Sequence, residues 1–241
     1  MSTAKIRVLD SDKAVSLELC SFVINKANDA IKRNGAFFVG VSGGSVAKFL
    51  CQGLPSLKTD WSKWHIFFCD ERHVPFTDSE CTYSYYKQNL MSKVALPEEN
   101  IFPINPDISV EDAATEYSKK ITSLMGSAPR FDVLLLGMGP DGHTCSLFPG
   151  HKLVQEKEKI VAAITDSPKP PPCRVTLTFP TINNSACAVF ASCGAGKADI
   201  VKKVLEPEGG EPLPAAMVQP SSGELVWFLD RAAASLLVKQ S

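Results

Sequence analysis

Short apolar runs alternate along the chain with longer segments in which apolar residues recur every three or four positions. Residues 14–33 have the second pattern, with Ser11 or Asp12 as a candidate N-cap and Gly35 as a stop signal. They predict an amphipathic helix. The short runs are typical of strands buried on both faces of a parallel sheet. These strands are predicted at residues 36–41, 64–69, 131–136, 159–164, 174–179, 186–192 and 225–229.

Helical spacing recurs between these strands and predicts an alternating order of strands and helices. After residues 14–33, the predicted helices begin at residues 42–45, 82, 109, 194–197 and 232, and end at residues 50, 94, 125, 205 and 238. The pattern leaves open whether a short strand precedes the first helix. This order indicates an α/β fold with three layers, α/β/α, around a mostly parallel, modified Rossmann-like sheet.

Composition and charge narrow the class of protein. The chain has 241 residues, 44% hydrophobic and 21% charged, so we expect one globular domain over residues 1–241. A net charge of −1 without a basic block argues against nucleic acid or an anionic membrane as a partner. No leader or membrane-spanning pattern is present, and eight cysteines lack a C-x-x-C pair. We therefore expect a cytoplasmic protein with reduced thiols and no metal site.

The most informative segment follows the apolar run at residues 131–136. Asp141 and His143 come a few positions after its end, among Gly137, Gly139 and Gly142. Open α/β sheets bind ligands at the carboxyl ends of their strands. The segment therefore predicts an acid–base group at that edge of the sheet, in preference to a plain turn with a surface histidine.

A second glycine-rich junction lies between the strand at 36–41 and the next helix. Its residues are Ser42, Gly43, Gly44 and Ser45. Backbone N–H groups at such a helix start can hold a phosphate. The same residues also fit the G-x-S-x-G nucleophile elbow, with Ser42, Asp70 and His143 in hydrolase order. That elbow normally follows several strands, so we rank it lower; a plain glycine turn also stays open.

The residues from Gly137 to Gly142 also fit the G-x-G-x-x-G dinucleotide pattern. Pro140 interrupts the pattern, and the polar segment 152–159 leaves little room for the crossover helix that should follow. We therefore expect a chance match.

Three cations complete the candidate site. Arg72 follows Asp70 at a strand end, Arg174 lies on a short predicted strand, and Lys197 follows a glycine pair. Each alone could be an ordinary surface or structural charge. Because parallel strands bring their carboxyl ends together, the glycine loops, cations and the Asp–His pair predict one site for a phosphate and an acid–base reaction.

These segments together resemble the 6-phosphogluconolactonase family over nearly the full length. The matching motifs are SGGS at 42–45, FCDERHVP at 68–75, GMGPDGHTCSLFPG at 137–150, SPKPPP with RVTLT at 167–178, and G-x-G-K at 194–197. The resemblance implies the sugar-phosphate isomerase/deaminase fold and hydrolysis of 6-phosphogluconolactone in the oxidative pentose phosphate pathway. One departure is Val46-Ala47, where many relatives have Thr-Pro; we expect it to change helix packing rather than chemistry.

The resemblance also assigns roles to residues. It makes His143 the general base, with Asp141 orienting either the loop or the imidazole, and gives phosphate and sugar contacts to Arg72, Arg174, Lys197 and the SGGS loop. Arg72 or loop N–H groups could stabilise the oxyanion, and Asp70 belongs to the same catalytic set. A neutral imidazole, with an ordinary pKa near ~6.5, can take a proton from water at neutral pH. We expect a monomer with a small-molecule substrate and no cofactor.

Two other functions are open. The first is a deaminase of the same fold. The site of these enzymes resembles Asp-Glu-Tyr after the second strand and Phe-Asn-Glu-Pro after the histidine. Here Arg72 replaces the tyrosine and Leu147-Phe148 replace Asn-Glu, which ranks a deaminase below a lactonase. A non-catalytic sugar-phosphate-binding regulator would need the cations and glycine loops but not Asp141 and His143.

Overall fold

Alternating strands and helices make up most of residues 4–238, the part of the chain that the computed structural model describes. The strands are β1 Lys5–Leu9, β2 Phe37–Val41, β3 Trp64–Phe68, β4 Asp70–Arg72, β5 Ile101–Phe102, β6 Val133–Leu136, β7 Val161–Ile164, β8 Arg174–Leu177, β9 Cys187–Ser192 and β10 Glu224–Asp230. The helices are α1 Asp12–Asn34, α2 Gly44–Gly53, α3 Thr82–Asn89, α4 Val110–Met125, α5 Phe179–Ile182 and α6 Ala198–Leu205. Most predicted elements are therefore present.

Seven strands form one parallel sheet in the order β1-β10-β9-β6-β2-β3-β5. From β2 the chain proceeds outward to β3 and β5, whereas from β6 it proceeds the other way to β9 and β10. The strand order therefore reverses between β2 and β6. Such a switch point leaves a crevice outside the carboxyl ends of the strands, where α/β proteins bind their ligands.

The central strand β6 shows why the sheet is covered on both sides. Val133 and Leu135 pack into the apolar cluster formed with α1, α2 and α3, while Leu134 and Leu136 pack into the cluster formed with α4 and α6. All four side chains are at most 1% exposed. An uninterrupted apolar run is therefore required here, and the predicted three-layer α/β/α class is confirmed.

A close approach inside the sheet requires a glycine in β2. A Cβ at Gly40 would stand 2.5 Å from Cδ2 of Leu134 and 3.0 Å from Sγ of Cys69. Because these neighbours are fully buried, they have little room to move away. Gly40 thus lets β2 and β6 pack closely at the switch point.

A second, antiparallel sheet joins β4, β8 and β7 in that order. It pairs Arg72 with Arg174 across β4 and β8. The sequence pattern indicated strands near β7 and β8 but did not separate them from the parallel sheet. It missed β4, because three charged residues at a strand end look like a solvated turn.

Some predicted boundaries are wrong. The helix predicted to end at residue 94 ends at Asn89, and a 3₁₀ turn follows at Met91–Lys93. The strand predicted to end at residue 179 ends at Leu177, because the short helix α5 begins at Phe179 with Pro180 in its first turn. The two-residue strand β5 is too short to give a periodic signal.

The helix predicted at residues 232–238 is wrong, since residues 231–236 form successive turns. The Asp230 carboxylate accepts the Ala233 N–H at 2.7 Å, and the Leu237 N–H donates to the Ala234 carbonyl three residues back. These bonds satisfy the backbone while Ala233, Ala234 and Leu237 remain buried. Within residues 4–238, no helix combines the length and apolar composition needed to span a bilayer.

Candidate active site

A cavity of about 250 Å³ opens at the carboxyl ends of β2, β3, β6 and β9. It brings together all but one of the residues that the sequence predicted for the site. These are Ser42, Gly43, Gly44, Ser45, Asp70, Arg72, His143, Arg174 and Lys197. The exception, Asp141, is hydrogen-bonded to His143.

The loop after β2 forms the start of α2 in the cavity wall. Gly43 is the N-cap and supplies no side-chain hydrogen bond, and Gly44 has a φ of +67°. The first N–H groups of a helix lack intrahelical partners and carry the positive end of the helix dipole. A Cβ at Gly43 would stand 3.1 Å from Oγ1 of Thr82. The loop can therefore bind an anion through its backbone.

Ser42 has a different environment from that of an activated nucleophile. Its carbonyl accepts a hydrogen bond from the Tyr86 hydroxyl at 2.9 Å. Its own hydroxyl is buried and has no hydrogen-bond partner within residues 4–238. It is therefore not bonded to His143, as the nucleophile-elbow alternative would require.

His143 and Asp141 form a hydrogen-bonded pair after β6. Nδ1 of His143 lies 2.5 Å from Oδ1 of Asp141. A carboxylate can only accept, so Nδ1 carries the proton that it donates. Nε2 has no hydrogen-bond partner in the described part of the chain and keeps its lone pair. The imidazole is thus held in the tautomer that a general base needs.

Two glycines allow this arrangement. A Cβ at Gly139 would stand 2.0 Å from both Cε1 and Nδ1 of His143, so the ring packs directly on the backbone. Gly142 has a φ of +80°, a conformation that L side chains rarely adopt. Residues 137–150 form turns and no helix. The dinucleotide pattern therefore lacks the helix that would hold a pyrophosphate, as expected for a chance match.

The charges on the pair follow from its surroundings. Burial alone would raise the pKa of the Asp141 carboxyl, but hydrogen bonds from His143 and Lys169 outweigh burial and lower it to about 2. Burial lowers the pKa of the His143 imidazole, the Lys169 ammonium lowers it further, and the Asp141 hydrogen bond opposes both. At neutral pH the carboxylate is therefore ionised and the imidazole is neutral.

Asp70 and Arg72 are the first and last residues of β4, which follows the carboxyl end of β3. The Ser146 hydroxyl donates to Oδ2 of Asp70 at 2.8 Å, which joins the two strand-end loops. Arg72 forms an ion pair with Glu80 and donates to the Glu80 carbonyl at 3.2 Å. The Glu80 side chain is half exposed. A substrate anion that reached Arg72 would therefore have to share it with Glu80.

Glu71, between these two residues, is only 1% exposed. Its carboxylate accepts the backbone N–H groups of Arg72, Thr82 and Tyr83 at 2.7–2.9 Å. Burial raises the pKa of this carboxyl to about 7, and the three hydrogen bonds limit the rise. Glu71 thus ties the start of α3 to β4, a role that sequence reasoning missed because a mid-cluster acid looks solvent-exposed.

Arg174 is 3% exposed and mainly supports the proline-rich loop before it. Nε donates to the Pro171 carbonyl at 3.1 Å, and one terminal nitrogen donates to the carbonyls of Lys169 and Pro170 at 3.0 Å. The guanidinium carbon lies 5.7 Å from the centre of the Phe148 ring. Arg174 lines the cavity, but much of its donor capacity is used within the protein.

Lys197 and Lys169 contact two different parts of the loop after β6. Nζ of Lys197 donates to the Met138 carbonyl at 2.6 Å. Nζ of Lys169 donates to Oδ1 of Asp141 at 3.0 Å. Sequence reasoning missed Lys169, although it is the single cation in the proline-rich segment 167–172. Among the residues described, no group of three or more His, Cys, Asp and Glu side chains could hold a metal ion.

Comparisons with known proteins agree with the motifs. The family model for glucosamine-6-phosphate isomerases/6-phosphogluconolactonase matches residues 10–227. A human 6-phosphogluconolactonase is 47% identical over 96% of this chain and 93% of its own length. The chloroplastic 6-phosphogluconolactonase 3 of Arabidopsis thaliana is 41% identical over 97% of this chain and 75% of its own.

Solved structures give the same result for the fold. A 6-phosphogluconolactonase from Trypanosoma cruzi superposes with a TM-score of 0.87 at 26% identity, covering 99% of both chains. A monomeric glucosamine-6-phosphate deaminase superposes at 0.79 with 20% identity, over 96% of this chain and 99% of its own, and indicates a shared fold alone. The resemblance predicted from the motifs is confirmed, and the chain belongs to the family of glucosamine-6-phosphate isomerases and 6-phosphogluconolactonases.

Proposed function

We propose that the protein hydrolyses 6-phosphogluconolactone to 6-phosphogluconate, with His143 as the general base. The observation that carries the proposal is the state of the imidazole in the cavity wall. Its Nδ1–H is fixed on Asp141 while Nε2 is unpaired within residues 4–238. Relatives named 6-phosphogluconolactonase that cover most of this chain support the choice of substrate.

In the proposed reaction, Nε2 takes a proton from a water molecule as the water oxygen attacks the lactone carbonyl carbon. The carbonyl π bond breaks and its electrons form an oxyanion, which needs hydrogen-bond donors. Arg72 lines the same cavity and would supply them once its Glu80 partner moves aside. The oxyanion then reforms the carbonyl, the ring C–O bond breaks, and the imidazolium returns its proton to the leaving oxygen.

The phosphate would bind at the start of α2 and near Lys197. The helix start contributes backbone N–H groups and positive potential, and the lysine adds a full charge. Arg174 would act mainly by holding the proline-rich loop in place. Its direct contact with the phosphate would therefore be weaker than the sequence predicted.

An apolar ring occupies the place where the deaminase pattern has a carboxylate. Phe148 is 1% exposed, and its ring centre lies 4.6 Å from that of His143. It cannot exchange a proton with the imidazole. This contact favours hydrolysis over the proton shuttling of a sugar-phosphate isomerase.

The proposal places the protein in the oxidative pentose phosphate pathway of the cytoplasm, as a single-domain monomer that needs no cofactor. His143 and water provide the acid–base chemistry of lactone opening without a further reactant. Relatives named 6-phosphogluconolactonase that match nearly all of this chain support the assignment to the pathway. Sedimentation of the purified protein would test the monomer.

Parallel assays of three substrates test the function. Freshly generated 6-phosphogluconolactone, unphosphorylated gluconolactone and glucosamine 6-phosphate are offered at equal concentration, with spontaneous lactone hydrolysis subtracted. We expect rapid turnover of the first, slow turnover of the second because the phosphate contacts are lost, and no ammonia from the third. Ammonia release would favour the deaminase. Tight binding of 6-phosphogluconate without turnover of any substrate would favour a regulator.

A further inference from the structure

Lys169 makes the only direct contact between a cation and the His143–Asp141 pair within residues 4–238. Its Nζ lies 3.0 Å from Oδ1 of Asp141 and 3.1 Å from Nδ1 of His143. The side chains of Lys169 and Asp141 are 35% and 36% exposed. Because Nδ1 and Nζ are both donors, they share one acceptor, Oδ1.

The backbone that carries Lys169 is held in place from several sides. The Lys169 carbonyl accepts bonds from Arg174 at 3.0 Å and from the Ser167 hydroxyl at 2.8 Å. Arg174 also binds the carbonyls of Pro170 and Pro171, and prolines restrict the chain further. The ammonium group therefore contacts Asp141 from a loop whose backbone is held by hydrogen bonds, not from a free surface loop.

The charges explain what such a cation does. A carboxylate alone beside an imidazole stabilises the imidazolium form and so works against a neutral base. A cation on the same carboxylate offsets this attraction while leaving the hydrogen bond to Nδ1 intact. Asp141 and His143 then keep their relative orientation, and Nε2 of His143 stays unprotonated.

We propose that Lys169 is a positioning residue, which orients Asp141 towards His143 and keeps the imidazole unprotonated before water is activated. The proposal rests on the proposed role of His143 as general base. It assigns to the proline-rich loop a part in the acid–base chemistry, whereas the sequence indicated only an extended surface segment.

No other charged group near the imidazole, among the described residues, takes the place of the Lys169 ammonium group on Asp141. Asp141 in the same loop as His143 and Asp70 at the start of β4 both favour protonation of His143, and Lys169 opposes it. Arg72, Arg174 and Lys197 line the same cavity. Arg72 and Arg174 are engaged by Glu80 and by the loop carbonyls, respectively, and Lys197 is bound to the Met138 carbonyl.

The test compares Lys169→Met, which removes the charge, with Lys169→Arg, which keeps it. The matched control is Lys152→Met, since Nζ of Lys152 lies 4.0 Å from Asp166 in an exposed pair outside the cavity. We expect kcat of the Lys169→Met variant to fall roughly 10- to 100-fold, the cost of a slightly misplaced catalytic group. The acidic limb of its kcat/KM profile should move to higher pH, because the imidazolium has lost an opposing charge. The Lys169→Arg and Lys152→Met variants should keep the limb in place.

Proton NMR of the imidazole Cε1–H resonances, assigned with His143→Asn, gives a readout without turnover. The His143 titration should move to higher pH in Lys169→Met, and in Lys169→Gln if the first variant does not fold. An unchanged titration and an unchanged limb would overturn the proposal. A raised KM with both unchanged would instead make Lys169 a phosphate ligand, which also overturns it. If the titration moves but the parent protein turns over no lactone, the proposed function fails, whereas the control of the His143 charge by Lys169 is still supported.

Discussion

Two His–Asp–Lys clusters lie only a few residues apart in the chain. In the cavity, His143 bonds to Asp141, which also binds Lys169. Outside the cavity, Nε2 of His151 lies 3.0 Å from the exposed carboxylate of Asp166, with Lys152 close to the same carboxylate. The residue types are identical, so residue identity alone does not separate a candidate base from a structural pair.

The two imidazoles differ in which nitrogen carries the proton. Nδ1 of His151 accepts the Leu153 N–H at 3.2 Å, which leaves Nε2–H to donate to Asp166. Both nitrogens are then used within the protein. His143 is in the opposite tautomer, with Nδ1–H on Asp141 and Nε2 left to the cavity. A His–Asp pair can therefore act as a base only where the second nitrogen is left to the substrate.

The largest expected effect separates the two histidines directly. His143→Asn should lower kcat by roughly 10²–10⁴-fold, the usual contribution of a positioned acid–base group. His151→Asn makes the same change in the surface pair and should leave kcat near the parent value. Turnover is measured with spontaneous hydrolysis subtracted, and 6-phosphogluconate affinity by calorimetry. Normal turnover in the His143→Asn protein would remove His143 from the mechanism, and a loss of affinity would make it a binding residue.

A smaller effect is expected from the carboxylates. Asp141→Asn removes the charged acceptor that fixes the His143 tautomer, so kcat should fall by up to about 100-fold with a smaller change in KM. Asp166→Asn is the matched surface change and should not alter the rate. Steady-state kinetics of both proteins give the comparison. Equal losses in the two variants would mean that the carboxylates act through overall stability.

The smallest effect concerns stability against pH. The pKa of Asp141 is lowered from 3.8 to about 2, so its ionised form stabilises the fold above about pH 4. This contribution is lost as the pH falls through 2, because the carboxylate is then protonated in both states. In urea titrations, the difference in unfolding free energy between parent and Asp141→Asn should be constant at higher pH and shrink below about pH 4. A difference independent of pH would contradict the charge assigned to Asp141.

The fold was largely predictable because its central strands are buried on both faces. The run at residues 133–136 has no polar position, and a core strand such as β6 tolerates none. The pattern failed where tertiary contacts decide the structure. Residues 232–238 have helical spacing, but Asp230 takes the Ala233 N–H into a turn, a contact that periodicity does not record.

The site was predictable in part for a related reason. Glycine loops and isolated cations at strand ends are local signals, so the sequence singled out His143 and the loop at residues 42–45 as candidates. Lys169 was not, because its partner Asp141 is 28 positions away and the loop between them gives no periodic signal. Arg174 was found, but its bonding to loop carbonyls could be seen only in three dimensions.

The strand order has a consequence for the order of synthesis. β10 lies between β1 and β9, so residues 5–9 pair with residues 224–230 and with no other strand in the described chain. On a ribosome, β1 emerges well before β10 and must therefore wait for β10 before it can pair. The sheet can grow outward from β2 and β3 during translation, but that edge closes only afterwards. A nascent chain would expose an unpaired β1 until β10 emerges, and we expect a chaperone to bind there.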